Sequence, residues 1–186
     1  MAIAISTALL AARCTKPKTY YLEQETKDYC LFDVGSYWIF QDSATLKTDS
    51  LVITKVTREM VPVCPECGED LEVYDILYAY FQEDTSILMY GMLRCHTGDS
   101  PDDFSVLPYQ SVYTDKPVGT GSYKAYYESY SIANFTYSDV KEFSLERYGL
   151  DMFFAKHIGC IRFEINTNET DTVYNLIRYN IKPYNK

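Results

Sequence analysis

The residues best suited by type and spacing to do chemistry are Cys64-Pro65-Glu66-Cys67-Gly68, two thiols two residues apart. Two thiolates at this spacing can hold one side of a tetrahedral zinc, and a structural site needs two more ligands. The chain has no second CxxC, so Cys95 and His96 are the candidates to complete the set. Neighbours on a strand point to opposite faces, so both can ligate only if the chain turns there. His96 opens the run HTGDSPDD, which reads as a loop. The alternative is a disulfide, which an oxidising compartment would favour. Apart from Cys14, the cysteines are Cys30, Cys64, Cys67, Cys95 and Cys160, an odd set that leaves at least one free thiol or metal ligand. Cys160 falls on the polar side of its strand and is the candidate for the unpaired thiol. A thioredoxin-like redox site would open a helix in a βαβ unit, and the surrounding pattern is β.

Cys14 carries a different chemistry. It closes the apolar run Met1 to Ala12 and is followed by the polar stretch Thr15 to Lys18, an arrangement that reads as an export signal ending in a lipid-acceptor cysteine. The run is too short to cross a bilayer, which takes about 20 apolar residues. No Lys or Arg precedes it, and Arg13 stands where such signals carry a small residue, so the segment reads as a signal truncated at its basic end. The expected division is a signal over 1–14, a tether over 15–28 and a single β domain over 29–186.

The elements that must position these residues are strands. Apolar residues alternate with polar ones over Tyr37 to Gln41 and Leu51 to Thr57, predicting a first pair. Leu71 to Gln82 reads as the longest strand, with Leu71, Val73, Leu77, Ala79 and Phe81 on one face and Tyr74, Ile76, Tyr78 and Tyr80 on the other. Glu83 to Ser86 turns it into a hairpin with Ile87 to Cys95. Val106 to Tyr113 follows as an edge or bulged strand because of Pro108. Tyr126 to Tyr137 reads as one strand, and Ser138 is placed to cap a helical turn through Phe143. Phe153 to Ala155, Ile161 to Asn166 and Thr172 to Ile181 complete an antiparallel meander of about eight strands, closed as a lipocalin-like barrel or folded into a β-sandwich.

Nineteen tyrosines invite a binding role, since aromatic faces stack on sugar rings. Tyr74, Tyr78 and Tyr80, and Tyr126 with Tyr127, are the candidate stacking positions. Against this, tyrosine is a good strand former whose ring packs in sheets. Enzymatic motifs are wanting: there is no GxSxG elbow, HExxH or Walker loop, and the histidines number two. Asp102-Asp103 sits in a loop, and a glycosidase would need two carboxyls facing each other across a cleft. His157, beside Gly159, reads as a turn residue. A formal charge of -9 with spread acidic residues argues against nucleic acid and against docking on an anionic membrane surface. Membrane contact is expected through the lipid at Cys14 alone, and the expected partner is a protein or glycan of unspecified identity.

Two stretches, Phe32 to Ser43 (FDVGSYWIFQDS) and Phe153 to Ile165 (FFAKHIGCIRFEI), carry a resemblance. They are similar to a recurrent pattern in cell-envelope lipoproteins of Bacteroidota, with His157 and Cys160 departing from the commoner residues. The resemblance implies an exported all-β domain of unknown activity and supplies no catalytic residues. It implies an outer-membrane lipoprotein. Thr15-Lys16-Pro17-Lys18 lacks the acidic mark of those that reach the cell surface, so a periplasm-facing position is expected, with the cell surface as the alternative. Within the stretches, Gly35 and Gly159 suit turns or close backbone approach, and Trp38 suits a core anchor.

Overall fold

A computed structural model describes residues 18–64, 68–82, 85–94, 103–106, 122–145, 149–166 and 171–185. It is all-β, as the periodicity requires, with one curled sheet forming a half-barrel. The strands are β1 (Lys18–Tyr20), β2 (Tyr37–Asp42), β3 (Thr48–Cys64), β4 (Glu69–Gln82), β5 (Thr85–Arg94), β6 (Asp103–Val106), β7 (Ser122–Ile132), β8 (Phe135–Leu145), β9 (Leu150–Ala155), β10 (Gly159–Asn166) and β11 (Asp171–Asn180). A single helix among the described residues, α1 (Gln24–Cys30), follows β1.

The sheet order is β6-β5-β4-β3-β2-β11-β10-β9-β8-β7. Two antiparallel meanders, β2 to β6 and β7 to β11, are joined where β2 pairs with β11, setting Trp38 opposite Tyr179 and Phe40 opposite Leu176. Among the described residues β6 and β7 do not pair, and the curled sheet forms a half-barrel. Among the described residues β5 pairs with β4 from Val73 to Gln82. Parallel β1 lies along β4 before that stretch, pairing Lys18 to Tyr20 with Glu69 to Leu71.

Among the described residues eleven strands stand where about eight were expected, for local reasons. The stretch Tyr126 to Tyr137 is interrupted by a two-residue turn at Ala133-Asn134, with Ala133 at φ 50°, so it belongs to two strands, β7 and β8. Positive φ at a hairpin turn is usually marked by Gly, and none stands here. The helical turn expected from Ser138 to Phe143 is strand β8, because Val140 to Leu145 pairs with Leu150 to Ala155. The expected tether also changes character, since residues 18–28 form β1 and most of α1 and bury Leu22 in the core.

The core lies on the concave face under α1. Alternation along β2 buries Trp38, Phe40 and Asp42, and along β10 it buries Ile161 and Phe163. The two sequence stretches singled out above meet here. Trp38 Nε1 donates to the Ile158 carbonyl at 2.6 Å, and its ring stands edge-on to Phe32 at 5.5 Å. Gly159, at φ 90°, lies so close that a Cβ would come within 3.0 Å of the Phe32 ring and 3.2 Å of Trp38. Gly35 takes φ 85° in the turn before β2. Both glycines thus serve positive-φ backbone, and Trp38 is a core anchor.

Candidate functional site

The site is built around α1, whose own sequence does not secure it. Seven residues are too few for a helix to persist alone in water, and Glu23 at its N-cap makes no side-chain cap. Tertiary bonds hold it from three sides. Lys27 Nζ lies 2.8 Å from Glu72 on β4, Lys141 Nζ on β8 lies 2.6 Å from Glu25, and Lys156 Nζ lies 3.5 Å from Asp28. The backbone N–H of His157, itself in left-handed geometry, donates to the Asp28 carbonyl at 2.8 Å.

Glu72 is the anchor of this arrangement. It is 1% exposed, and a carboxylate so placed must be fully partnered. One oxygen accepts from Arg58 Nε at 2.8 Å and Tyr74 Oη at 3.0 Å; the other accepts from the Leu22 N–H at 2.9 Å and Lys27. Burial alone would raise its pKa. Hydrogen bonds from Lys27, Leu22 and Tyr74, with the charge of Lys27, outweigh that and hold it below the usual carboxylate value.

With α1 fixed, a cleft of about 750 Å³ opens between it and the hairpin β7–β8. Its walls are aromatic: Tyr29 from the helix, Tyr123 and Tyr126 from β7, and Phe143 from β8. Tyr123 and Phe143 meet edge to face at 6.1 Å, and Lys141 Nζ lies 4.8 Å from the centre of the Tyr29 ring. Tyr123 is 57% and Tyr126 46% exposed, so both can present their rings to a ligand. Asp139 lies on the β8 wall and Glu25 on the helix wall. The Tyr126 hydroxyl donates to Asp139, and Asp139 takes a left-handed backbone at φ 53°, which few residues besides Gly, Asn and Asp tolerate within a strand. Burial, then the charges of Asp139 and Glu25, push the Tyr29 hydroxyl up to about 12, so it remains a neutral donor at any physiological pH.

Among the described residues two further cavities flank the helix. One of about 450 Å³ lies toward the C-terminal segment, against Lys27, Tyr74, His157 and Tyr184, and Lys27 and Tyr74 in its wall are bonded to Glu72. The other, about 30 Å³, lies inside the core between Cys30, Cys160, Trp38 and Tyr78 and holds no more than a water-sized group.

The sequence-predicted stacking residues divide. Tyr74, Tyr78 and Tyr80 lie on the core face of β4 and are no more than 5% exposed, so they pack the interior and offer no face to a sugar. Tyr126 lines the cleft, whereas Tyr127 points to the opposite face, its hydroxyl on Glu142 and its ring 5.1 Å from Tyr130. Consecutive strand residues cannot share one site. Cys64 ends β3 opposite Glu69, while Cys14, Cys67, Cys95, His96 and Asp102 lie outside the described residues. Among the described residues β5 runs to Arg94, opposite Val73, and β1 lies along β4 from Glu69 to Leu71. Cys30 and Cys160 are free thiols, both pushed upward by burial, Cys160 to about 12. A bulge between Cys160 and Arg162 turns Cys160 inward, away from the polar side assigned to it by alternation.

Sequence reasoning missed Tyr29, Tyr123, Asp139, Glu25, Lys141 and Glu72. Tyr123 and Asp139 lay within reach of it, since they flank the Tyr126 strand and its partner. The helix residues did not, because α1 has no amphipathic run of its own. Comparison with known proteins finds no matching family model, no similar curated protein and no similar solved structure.

Proposed function

We propose that this chain is an exported, lipid-anchored cell-envelope protein on the periplasmic side of the outer membrane, and that its β domain binds glycans in the cleft between α1 and β7–β8. The observation that carries the binding reading is the cleft itself. Its volume suits a few sugar rings, exposed tyrosine rings line it, and polar groups on both walls can orient hydroxyls. The export and anchoring reading rests on the segment ending at Cys14, and the envelope reading on the resemblance of the two stretches that meet at Trp38 and Gly159.

A hydrolase is the reading of a different class, favoured by Glu25 and Asp139 approaching from separate walls. Glu25 is committed to Lys141 and Asp139 to the Tyr126 hydroxyl, which suits orientation and recognition better than proton transfer. The test is a panel of immobilised neutral oligosaccharides presented to the full chain and to Tyr126→Ala, with soluble panel members followed by mass spectrometry. Retention on particular glycans, weakened about tenfold by Tyr126→Ala with no cleavage products, is the expected result. Cleavage would favour the hydrolase, and retention indifferent to Tyr126 would place binding elsewhere.

A further inference from the structure

We infer that the group Asp139 is set to receive is a protonated primary amine on the bound sugar, so that the cleft selects amino sugars over their N-acetylated counterparts. The inference rests on the glycan reading of the same cleft and deepens it.

Three observations converge. Asp139 is partly buried, and its carboxylate accepts a bond from the neutral phenol of Tyr126 but has no cationic partner among the described residues. The carboxylates around it differ. Glu25 pairs with Lys141, Asp28 with Lys156, and Glu142 with Lys124. Second, the geometry for an ammonium is already realised once in this cleft: Lys141 Nζ sits 4.8 Å from the Tyr29 ring centre and 2.6 Å from a carboxylate oxygen. Tyr126 and Asp139 also bring an exposed aromatic ring and a carboxylate to this cleft, joined through the phenol hydroxyl and without an amine. Third, Asp139 holds its side chain there at the cost of left-handed backbone within a strand, a kind of strain that persists where the surroundings impose it and that gathers at ligand sites.

A neutral N-acetyl group would leave the Asp139 charge facing the ligand uncompensated, whereas an ammonium can both pair with it and lie against the tyrosine rings. Titration calorimetry of the full chain at low ionic strength would compare glucosamine trimer, its tri-N-acetylated form and cadaverine. The expected result is that the amino trimer binds about tenfold more tightly than the acetylated one, and that Asp139→Asn abolishes this preference while sparing the acetylated trimer. Asn tolerates left-handed backbone nearly as well as Asp, so this variant keeps the fold. Tyr126→Phe provides an independent check. It keeps the ring and frees the carboxylate, so the preference for the amine persists or rises; a merely structural Tyr126–Asp139 bond would instead weaken both trimers alike. Equal binding of the two trimers, indifferent to Asp139→Asn, overturns the inference and leaves the glycan reading standing. Cadaverine binding as well as the amino trimer overturns the sugar part of both. No binding by any of the three overturns the inference, and the neutral panel then decides the glycan reading on its own.

Discussion

Glu72 shows how one residue can decide the local structure of a domain. Its four donors come from β3, β4, α1 and the segment before it, so removing the carboxylate strands two cations and frees the start of the chain. Glu72→Ala should cost about 3 kcal/mol, the low end for a broken buried ion pair because Lys27 and Arg58 can turn to water. Urea unfolding measures it. The folded carboxyl titrates below its ordinary range, so the unfolded chain takes up its proton first as pH falls. The stability Glu72 contributes is therefore complete above the ordinary glutamate value of about 4.3 and is lost as pH drops through the folded value. The wild type should lose stability relative to Glu72→Ala below about pH 4.3, and parallel curves at all pH would contradict this. At the same scale, Gly159→Ala forces a Cβ at φ 90° against Phe32 and Trp38 and should cost about 2 kcal/mol. The change should register in the fluorescence of Trp38, the single tryptophan of the chain.

At the scale of elements, strand alternation was legible and placement was not. Trp38 is the core anchor expected of it, Ile161 and Phe163 are buried by alternation along β10, and the expected β4–β5 hairpin forms, although Thr85 and Ser86 of the expected turn belong to β5. Period-2 patterning failed where backbone geometry broke it, at the Ala133-Asn134 turn, at left-handed Asp139 and at the Cys160 bulge. It also could not rank the two largely apolar faces of β4, so the tyrosines that looked free to stack on a ligand fill the core. Helix α1 was illegible because its stability is tertiary. Charged residues at Glu25, Lys27 and Asp28 reach three different parts of the sheet, and none of that is encoded in a local run. Lys141→Met should therefore loosen the helix while leaving the sheet intact. Amide exchange would rise over 24–30 in this variant, and unchanged protection there would show that burial of Tyr29 and Cys30 suffices.

At the scale of the molecule, a half-barrel with α1 across its concave face supports an aromatic cleft beside the hydrophobic core. The proposed anchor lies at the other end of the N-terminal segment, only a few residues before β1. A lipid on Cys14 would thus hold the domain close to the membrane. Expression with an alkynyl fatty acid should label the wild type and not Cys14→Ser, and equal labelling of both would remove the lipid anchor from the account.

Occupation of the cleft between α1 and β7–β8 is read by hydrogen exchange of the full chain with and without saturating maltotriose, cellotriose and triacetylchitotriose. If glycans bind there, new protection is confined to 23–30, 122–127 and 139–143 with at least one of these sugars. Protection located elsewhere, or none with any of them, would contradict it.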